Sequence, residues 1–248
     1  IRKRASRQLR RFARKTGMPV INTFMGKGAV AMSDPHCLFT MGLQGRDHIN
    51  QAFESADVVI SVGYDLVEYS PEFWNPQRSH AIVHLDFEVA EIDQDYPVAV
   101  GVVSDLADAL WRINEELNRR FDNLPLFDIG RWDSLRQTIA DDLAAEAEDT
   151  AFPMKPQRIL SDVRGYLDAG DMVLSDVGAH KMWIARYYQC EDPNTCLISN
   201  GFCTMGFALP GAIGVKFADP GRRVLAICGD AGLLMNVQDL ETAARYGL

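Results

Sequence analysis

The chain lacks any run approaching the roughly 18 consecutive apolar residues of a membrane-spanning helix, which excludes a transmembrane reading and leaves no membrane partner. Cysteine is scarce: five residues in 248 (Cys37, Cys190, Cys196, Cys203 and Cys228), an odd count without a C-x-x-C pair. That removes a small disulfide scaffold. With no secretory signal peptide, the simplest account is reduced thiols in a cytoplasmic protein. A zinc centre is also disfavoured, because neither His180 to Cys190 nor Cys190 to Cys196 has a familiar ligand spacing. Positive charge is in deficit, with 25 Lys and Arg against 34 Asp and Glu for a net charge of −9, which argues against a nucleic-acid partner. The chain has no internal repeat. It also has no G-x-G-x-x-G after a strand, since Gly26-Lys27-Gly28 continues as Ala29-Val30-Ala31, so a nicotinamide-dinucleotide unit is set aside.

What remains is an ordinary globular balance, 47% apolar and 24% charged. One segment departs from it. Residues 1–15 carry eight Arg or Lys and no acid. Ile1, Ala5, Leu9, Phe12 and Ala13 recur there at helical spacing, so the segment reads as an amphipathic helix ended by Gly17. Such a sequence suits a transit peptide or a membrane-surface helix. The direct join to an apolar strand at Val20, with no cleavage site, favours a surface helix of an α/β domain.

Further along, short apolar runs alternate with helical patterns. The strands expected are Val20–Asn22, Val58–Val62, Ala81–Asp86, Met172–Asp176, Cys196–Ser199 and Val224–Cys228, rich in Val, Ile and Leu as buried parallel strands are. Helices are expected near 46–55, 105–119, 157–168, 180–189, 205–218 and 236–246. The alternation gives an α/β fold class with two doubly wound parallel-sheet domains, 1–120 and 156–248, joined by a linker at 121–155 that contains one polar helical stretch. The first element has no strand before it and the last helix stops where another strand should begin, as in a piece of a longer protein.

Ligands of open parallel sheets gather at the carboxyl ends of the strands. Three loops of the second domain leave such ends. In Ser175–Trp183 a strand yields to Asp176, Val177, Gly178 and then a helix near Ala179, whose free N–H groups suit an anion. His180 could add a side-chain hydrogen bond, or serve as a capping or surface histidine. The stretch Ser199–Gly214 is rich in small residues that permit close approach or plain helix packing. Its Met205 is either core filler or a polarizable surface beneath a planar cationic ring. The third loop delivers Gly229, Asp230, Ala231 and Gly232, and a carboxylate there facing a diphosphate is suited to Mg²⁺.

In order and spacing, DVGAHKMWIARYY, SNGFCTMGFALPGAIG and GDAGLLMNVQDLETA resemble the thiamine-diphosphate enzymes of the acetolactate synthase large (catalytic) subunit family. PVINTFMGKGAV, ADVVISVGYD and IVHLDFE resemble that family's central domain, so the likeness covers nearly the whole chain. Gly63–Pro76 is most like the catabolic, FAD-independent type. The resemblance implies a Rossmann-like central domain followed by an incomplete diphosphate-binding domain. It implies Val177, Gly178, Ala179 and His180 at the diphosphate, the Cys203 carbonyl at the aminopyrimidine, and Met205 as the wedge that bends the cofactor. Gly229, Asp230, Ala231 and Gly232 complete the set, with Asp230 on Mg²⁺ and Ala231 in place of the commoner glycine. No catalytic residue proper is implied within these 248 positions, since the family's activating glutamate lies in an N-terminal domain and its second metal ligand, an asparagine, beyond Leu248. Tyr64-Asp65-Leu66 stands where FAD-containing relatives have an arginine, and Val102 replaces an acid, so no FAD is implied. The implied reaction condenses two pyruvates to 2-acetolactate and CO₂ through a thiamine-bound carbanion, in a homodimer or homotetramer. Other thiamine-dependent 2-keto acid decarboxylases and carboligases have similar loops, and a non-catalytic scaffold is the remaining alternative.

Overall fold

The computed structural model describes residues 3–42, 48–91 and 94–248; positions 46–47 of the helix expected at 46–55 lie outside them, as do the first two residues of the basic segment. In chain order the elements are α1 (Lys3–Thr16), β1 (Val20–Asn22), β2 (Cys37–Thr40), α2 (Asn50–Glu54), β3 (Val58–Val62), α3 (Pro71–Trp74), β4 (Ala81–Asp86), β5 (Val98–Val103) and α4 (Leu106–Arg120). A short 3-10 turn, Ile129–Trp132, leads into α5 (Asp133–Ala144) and α6 (Pro156–Tyr166). Then come β6 (Met172–Ser175), α7 (Ala179–Tyr187), β7 (Cys196–Ile198), α8 (Ala208–Ala218), β8 (Val224–Ile227), α9 (Asp230–Met235) and α10 (Asp239–Tyr246). Every strand pairing is parallel, which makes this an α/β fold. The strands form a β1-β2 pair, a β3-β4-β5 sheet and a β7-β6-β8 sheet.

The basic segment behaves as a surface helix. Ala5, Leu9 and Ala13 of α1 are buried, and the helix packs along α4. No helix among the described residues is long and apolar enough to cross a membrane. Two strands and two short helices go beyond the sequence reading. Cys37–Thr40 is only four residues long and follows Asp34-Pro35, which reads as a turn, although all four residues are buried. Val98–Val103 is masked by Pro97 before it and Gly101 within it; proline is tolerated at the start of a strand because its missing N–H costs little there. Helices α3 and α9, of four and six residues, are too short to show a helical period.

The segment between 121 and 155 is packed. Ile139 and Leu143 of α5 are buried in the same apolar cluster as Val30, Ile82, Leu110, Ile184 and Ile198. One core thus runs from α1 into the last sheet. Polar contacts cross along the same line. The Arg10 guanidinium donates to the carbonyls of Ala29, Gly28 and Glu191, and Met32 N–H to the Cys190 carbonyl. The buried Lys27 ammonium donates to Thr40 Oγ1 at 3.2 Å and to the Ala185 carbonyl at 2.8 Å.

Gly28 sits at this joint with φ +79°, and a Cβ there would lie 2.2 Å from the Asp192 carbonyl oxygen and 2.6 Å from its carbon. Backbone cannot step aside as a flexible side chain can. Gly28→Ala combines left-handed strain with a backbone clash. The expected loss is about 3 kcal/mol or more, read as a lowered urea midpoint. A loss under about 0.5 kcal/mol would show that the joint is slack.

Candidate functional site

Because β6 lies between β7 and β8, the loops leaving all three strands emerge side by side at strand spacings of about 4.8 Å. Strand β6 is wholly buried and delivers Asp176, itself fully buried, at its tip. The Asp176 N–H continues the ladder by donating to the Ile227 carbonyl of β8 at 2.9 Å. Its carboxylate accepts from its neighbour Val177 N–H at 2.7 Å and, across the loops, from Gly206 N–H at 2.9 and 3.1 Å. A Cβ on Gly232 would fall 3.0 Å from Asp176 Oδ2, so the third loop is seated on the same group. One carboxylate therefore ties the three loops together. The sequence reading placed Asp176 at a strand end without giving it a role; the available signal was an acid closing an apolar strand and followed by small residues.

The first and third loops also meet at His180. A Cβ on Gly178 would lie 2.8 Å from His180 Cε1, and one on Gly229 would lie 3.4 Å from the same atom. The imidazole thus packs against the backbone of both loops, and at Gly178 only glycine leaves it room. Its Nε2 is buried without a hydrogen-bond partner among the described residues. Helix α7 begins at Ala179, directly after Gly178, and its first-turn N–H groups have no intrahelical acceptor. Asp230 follows Gly229 at the start of α9 and is exposed. Its Oδ1 accepts Ala231 N–H at 2.8 Å, and no cation pairs with it among the described residues.

The second loop is held by a residue the sequence reading passed over. Lys181, mostly buried, donates from Nζ to Asn200 Oδ1 at 2.7 Å and Cys203 Sγ at 3.0 Å, with the Phe24 ring 5.7 Å away. It holds Cys203, whose φ of +50° is uncommon for a residue other than glycine. Gly206 has φ +80°, and a Cβ there would lie 2.5 Å from Asn236 Nδ2, which donates to the Gly206 carbonyl at 2.6 Å. Met205, immediately before it, is partly exposed at the loop surface. Burial and then the Asp176 charge push the Cys228 thiol up from its ordinary value.

The predicted set divides accordingly. Gly178 and Gly229 both lie against the His180 ring, with Val177, Ala179 and Asp230 adjacent in sequence; Gly232 reaches them through Asp176, and Cys203 and Met205 through Lys181 and Gly206. The Ala231 N–H is taken by its neighbour's own carboxylate. Among the described residues no three His, Cys, Asp or Glu side chains gather in a way that could enclose a metal. The fit to a magnesium-bound diphosphate rests on three features among the described residues: an orphaned buried imidazole nitrogen, glycine backbone packed against that ring at a helix start, and an exposed, unpaired carboxylate.

Comparison with known proteins gives the same direction. Residues 176–248 match the thiamine pyrophosphate enzyme C-terminal TPP binding domain, and residues 1–113 match the thiamine pyrophosphate enzyme central domain. Together the two take in most of the chain. The protein belongs to the thiamine pyrophosphate enzymes. It is 31% identical to the acetolactate synthase of Bacillus subtilis (strain 168) over 98% of this chain and 43% of that protein. It is also 31% identical to the acetolactate synthase large subunit of Haemophilus influenzae, over 98% of this chain and 42% of that one. The putative thiamine pyrophosphate-containing protein YdaP of Bacillus subtilis is 32% identical, over 99% of this chain and 42% of its own length. The chain thus spans less than half the length of these relatives.

Proposed function

We propose that this chain carries the diphosphate- and metal-binding loops, and the central domain, of an acetolactate synthase that joins two pyruvates into 2-acetolactate with release of CO₂. The observation that carries the reading is the meeting of the first and third loops at His180, where Gly229, the residue before Asp230, packs against the second residue of α7. In this assignment Val177, Gly178, Ala179 and His180 hold the diphosphate. Asp230 holds Mg²⁺, and Gly229, Ala231 and Gly232 give it room. The Cys203 carbonyl accepts a hydrogen bond from the aminopyrimidine, and Met205 packs against the cofactor's rings. Thiamine diphosphate, when bound, supplies the electron sink for the carbon–carbon bond broken in decarboxylating a 2-keto acid. The residues of this chain bind and orient. We assign none of them the proton transfer, and we take the chain by itself to be inactive, with the cofactor shared in a homodimer or homotetramer.

The central domain supports a reading without FAD. A groove of about 1220 Å³ beside the carboxyl ends of β3 and β4 is lined by Asp65, Asp86, Glu88, Glu91, Asp105 and Asp108 and, among the described residues, by no Lys or Arg. Such a wall repels the diphosphate bridge of a flavin dinucleotide.

YdaP stands at the same identity as the named synthases, so identity alone does not select the reaction. Another thiamine-dependent 2-keto acid decarboxylase or carboligase is the competing reading. The test is calorimetric titration of thiamine diphosphate with Mg²⁺ into the chain and into a form extended to its relatives' length, followed by product analysis with pyruvate. Tight binding and acetolactate are expected from the extended form alone. Acetaldehyde without acetolactate would favour the decarboxylase, and tight binding by the 248 residues would overturn the shared site.

A further inference from the structure

The function proposed above leaves the basic helix α1 unused. Its solvent face borders a cavity of about 770 Å³, within the range of small-molecule sites. The opposite wall is formed by Gly170, Thr195 and Arg222, which precede β6, β7 and β8. The cavity therefore opens at the amino ends of the last sheet, on the side away from the loops around His180. Arg7, Arg10, Arg11, Arg14 and Lys15 line it together with Arg222, against Asp192 as the sole carboxylate among the lining residues.

These cations are poorly neutralised. Arg7 is exposed and has no ion pair or hydrogen bond among the described residues. Arg10 is fixed by three carbonyl oxygens and faces no carboxylate in those bonds, so its position is set while its charge stands uncompensated. Arg11 pairs with Glu115 and Arg222 with Asp219 in solvent-accessible ion pairs of the kind that contribute little and can be redirected, whereas Arg14 is held by the mostly buried Asp34 carboxylate. Lys15 donates to the Asn114 carbonyl and Asn118 Oδ1; burial and then the Arg11 charge hold its pKa below the usual lysine value. An independent observation falls at the same place. Ser6 lines the cavity, is 2% exposed, and its buried Oγ has no hydrogen-bond partner among the described residues. Buried hydroxyls are ordinarily satisfied, so this one calls for an acceptor or donor that the described residues do not provide.

We propose that this cavity is a second anion site, taking a small polyphosphate such as inorganic triphosphate or the phosphate chain of a nucleotide. The unpaired Arg7 can present a guanidinium fork that matches phosphate oxygens two at a time, and Arg10, whose Nε and Nη2 are taken by carbonyl oxygens, adds its Nη1 from a fixed position. The Ser6 hydroxyl supplies a neutral hydrogen bond at the floor.

The experiment is a titration of inorganic triphosphate into the form extended to its relatives' length, with thiamine diphosphate and Mg²⁺ at saturation, at low and at physiological salt. One site is expected, weakening as salt rises. Arg7→Ala with Arg11→Ala should weaken it at least tenfold and Ser6→Ala several-fold, while His180→Ala, with thiamine diphosphate raised until its own site is again saturated, leaves it unchanged. Arg7→Ala alone, at an exposed and unpaired residue, gives a variant whose folding is not at issue and should still weaken binding about threefold. Absence of saturable binding, equal affinity in the arginine variants, or loss confined to His180→Ala would each overturn the proposal.

Discussion

Replacing Asp176 with alanine is expected to remove about 3–5 kcal/mol of stability and, with it, the cofactor loops' common anchor. The carboxylate is fully buried, and no cation pairs with it among the described residues. Its charge is met by the Val177 and Gly206 N–H dipoles. Hydrogen bonds to a charged group contribute about 1.5–3 kcal/mol each, and a buried donor left without an acceptor costs about 1–3 kcal/mol. Alanine strands both donors and opens space beneath Gly232. For a chain of this length each kcal/mol shifts the midpoint by about 2–4 °C, so thermal unfolding should fall by roughly 6–20 °C. Asp176→Asn separates charge from volume. It keeps one acceptor oxygen but turns an amide donor toward the Gly206 N–H, and about 2–3 kcal/mol should still be lost. If Asn unfolds within about 0.5 kcal/mol of the parent, the carboxylate is not what holds the loops.

The contrast between Asp176 and the residues the sequence made visible shows what a sequence exposes. Val, Ile and Leu runs reveal six of the eight strands among the described residues, because burial on both faces leaves an apolar signature. The two that escaped are the four-residue Cys37–Thr40 and the proline- and glycine-interrupted Val98–Val103, where local signals contradict the tertiary outcome. At the site, glycines, a histidine and a strand-end acid were legible as residue types. What each one touches was not, because it depends on strand order: β6 lies between β7 and β8 although it precedes both in the chain. That crossover lets Asp176 receive a bond from Gly206, thirty positions away, and Lys181 reach Cys203. Such pairings leave no periodicity to read.

Asp230 should behave in the opposite way from Asp176. It is exposed, its one hydrogen bond among the described residues is from the N–H of the next residue, and asparagine can keep that bond, so Asp230→Asn should change stability by no more than about 0.5 kcal/mol. Ligand binding is where the change should fall. Mg²⁺ is held by one or two carboxylates together with phosphate oxygens, and a neutral amide removes the charge that brings ion and diphosphate together. In the form extended to its relatives' length, thiamine diphosphate affinity measured with saturating Mg²⁺ should drop at least 100-fold, about 2.7 kcal/mol. Without Mg²⁺ the parent and Asp230→Asn should bind equally weakly, since the substitution then has no ion to lose. His180→Ala sharpens the comparison: on the proposed assignment it removes a hydrogen-bonding side chain from the diphosphate, so it should weaken binding whether or not Mg²⁺ is present. Should Asp230→Asn keep full magnesium-dependent affinity, the ion is held elsewhere, and the meeting of the first and third loops at His180 serves packing instead of a ligand.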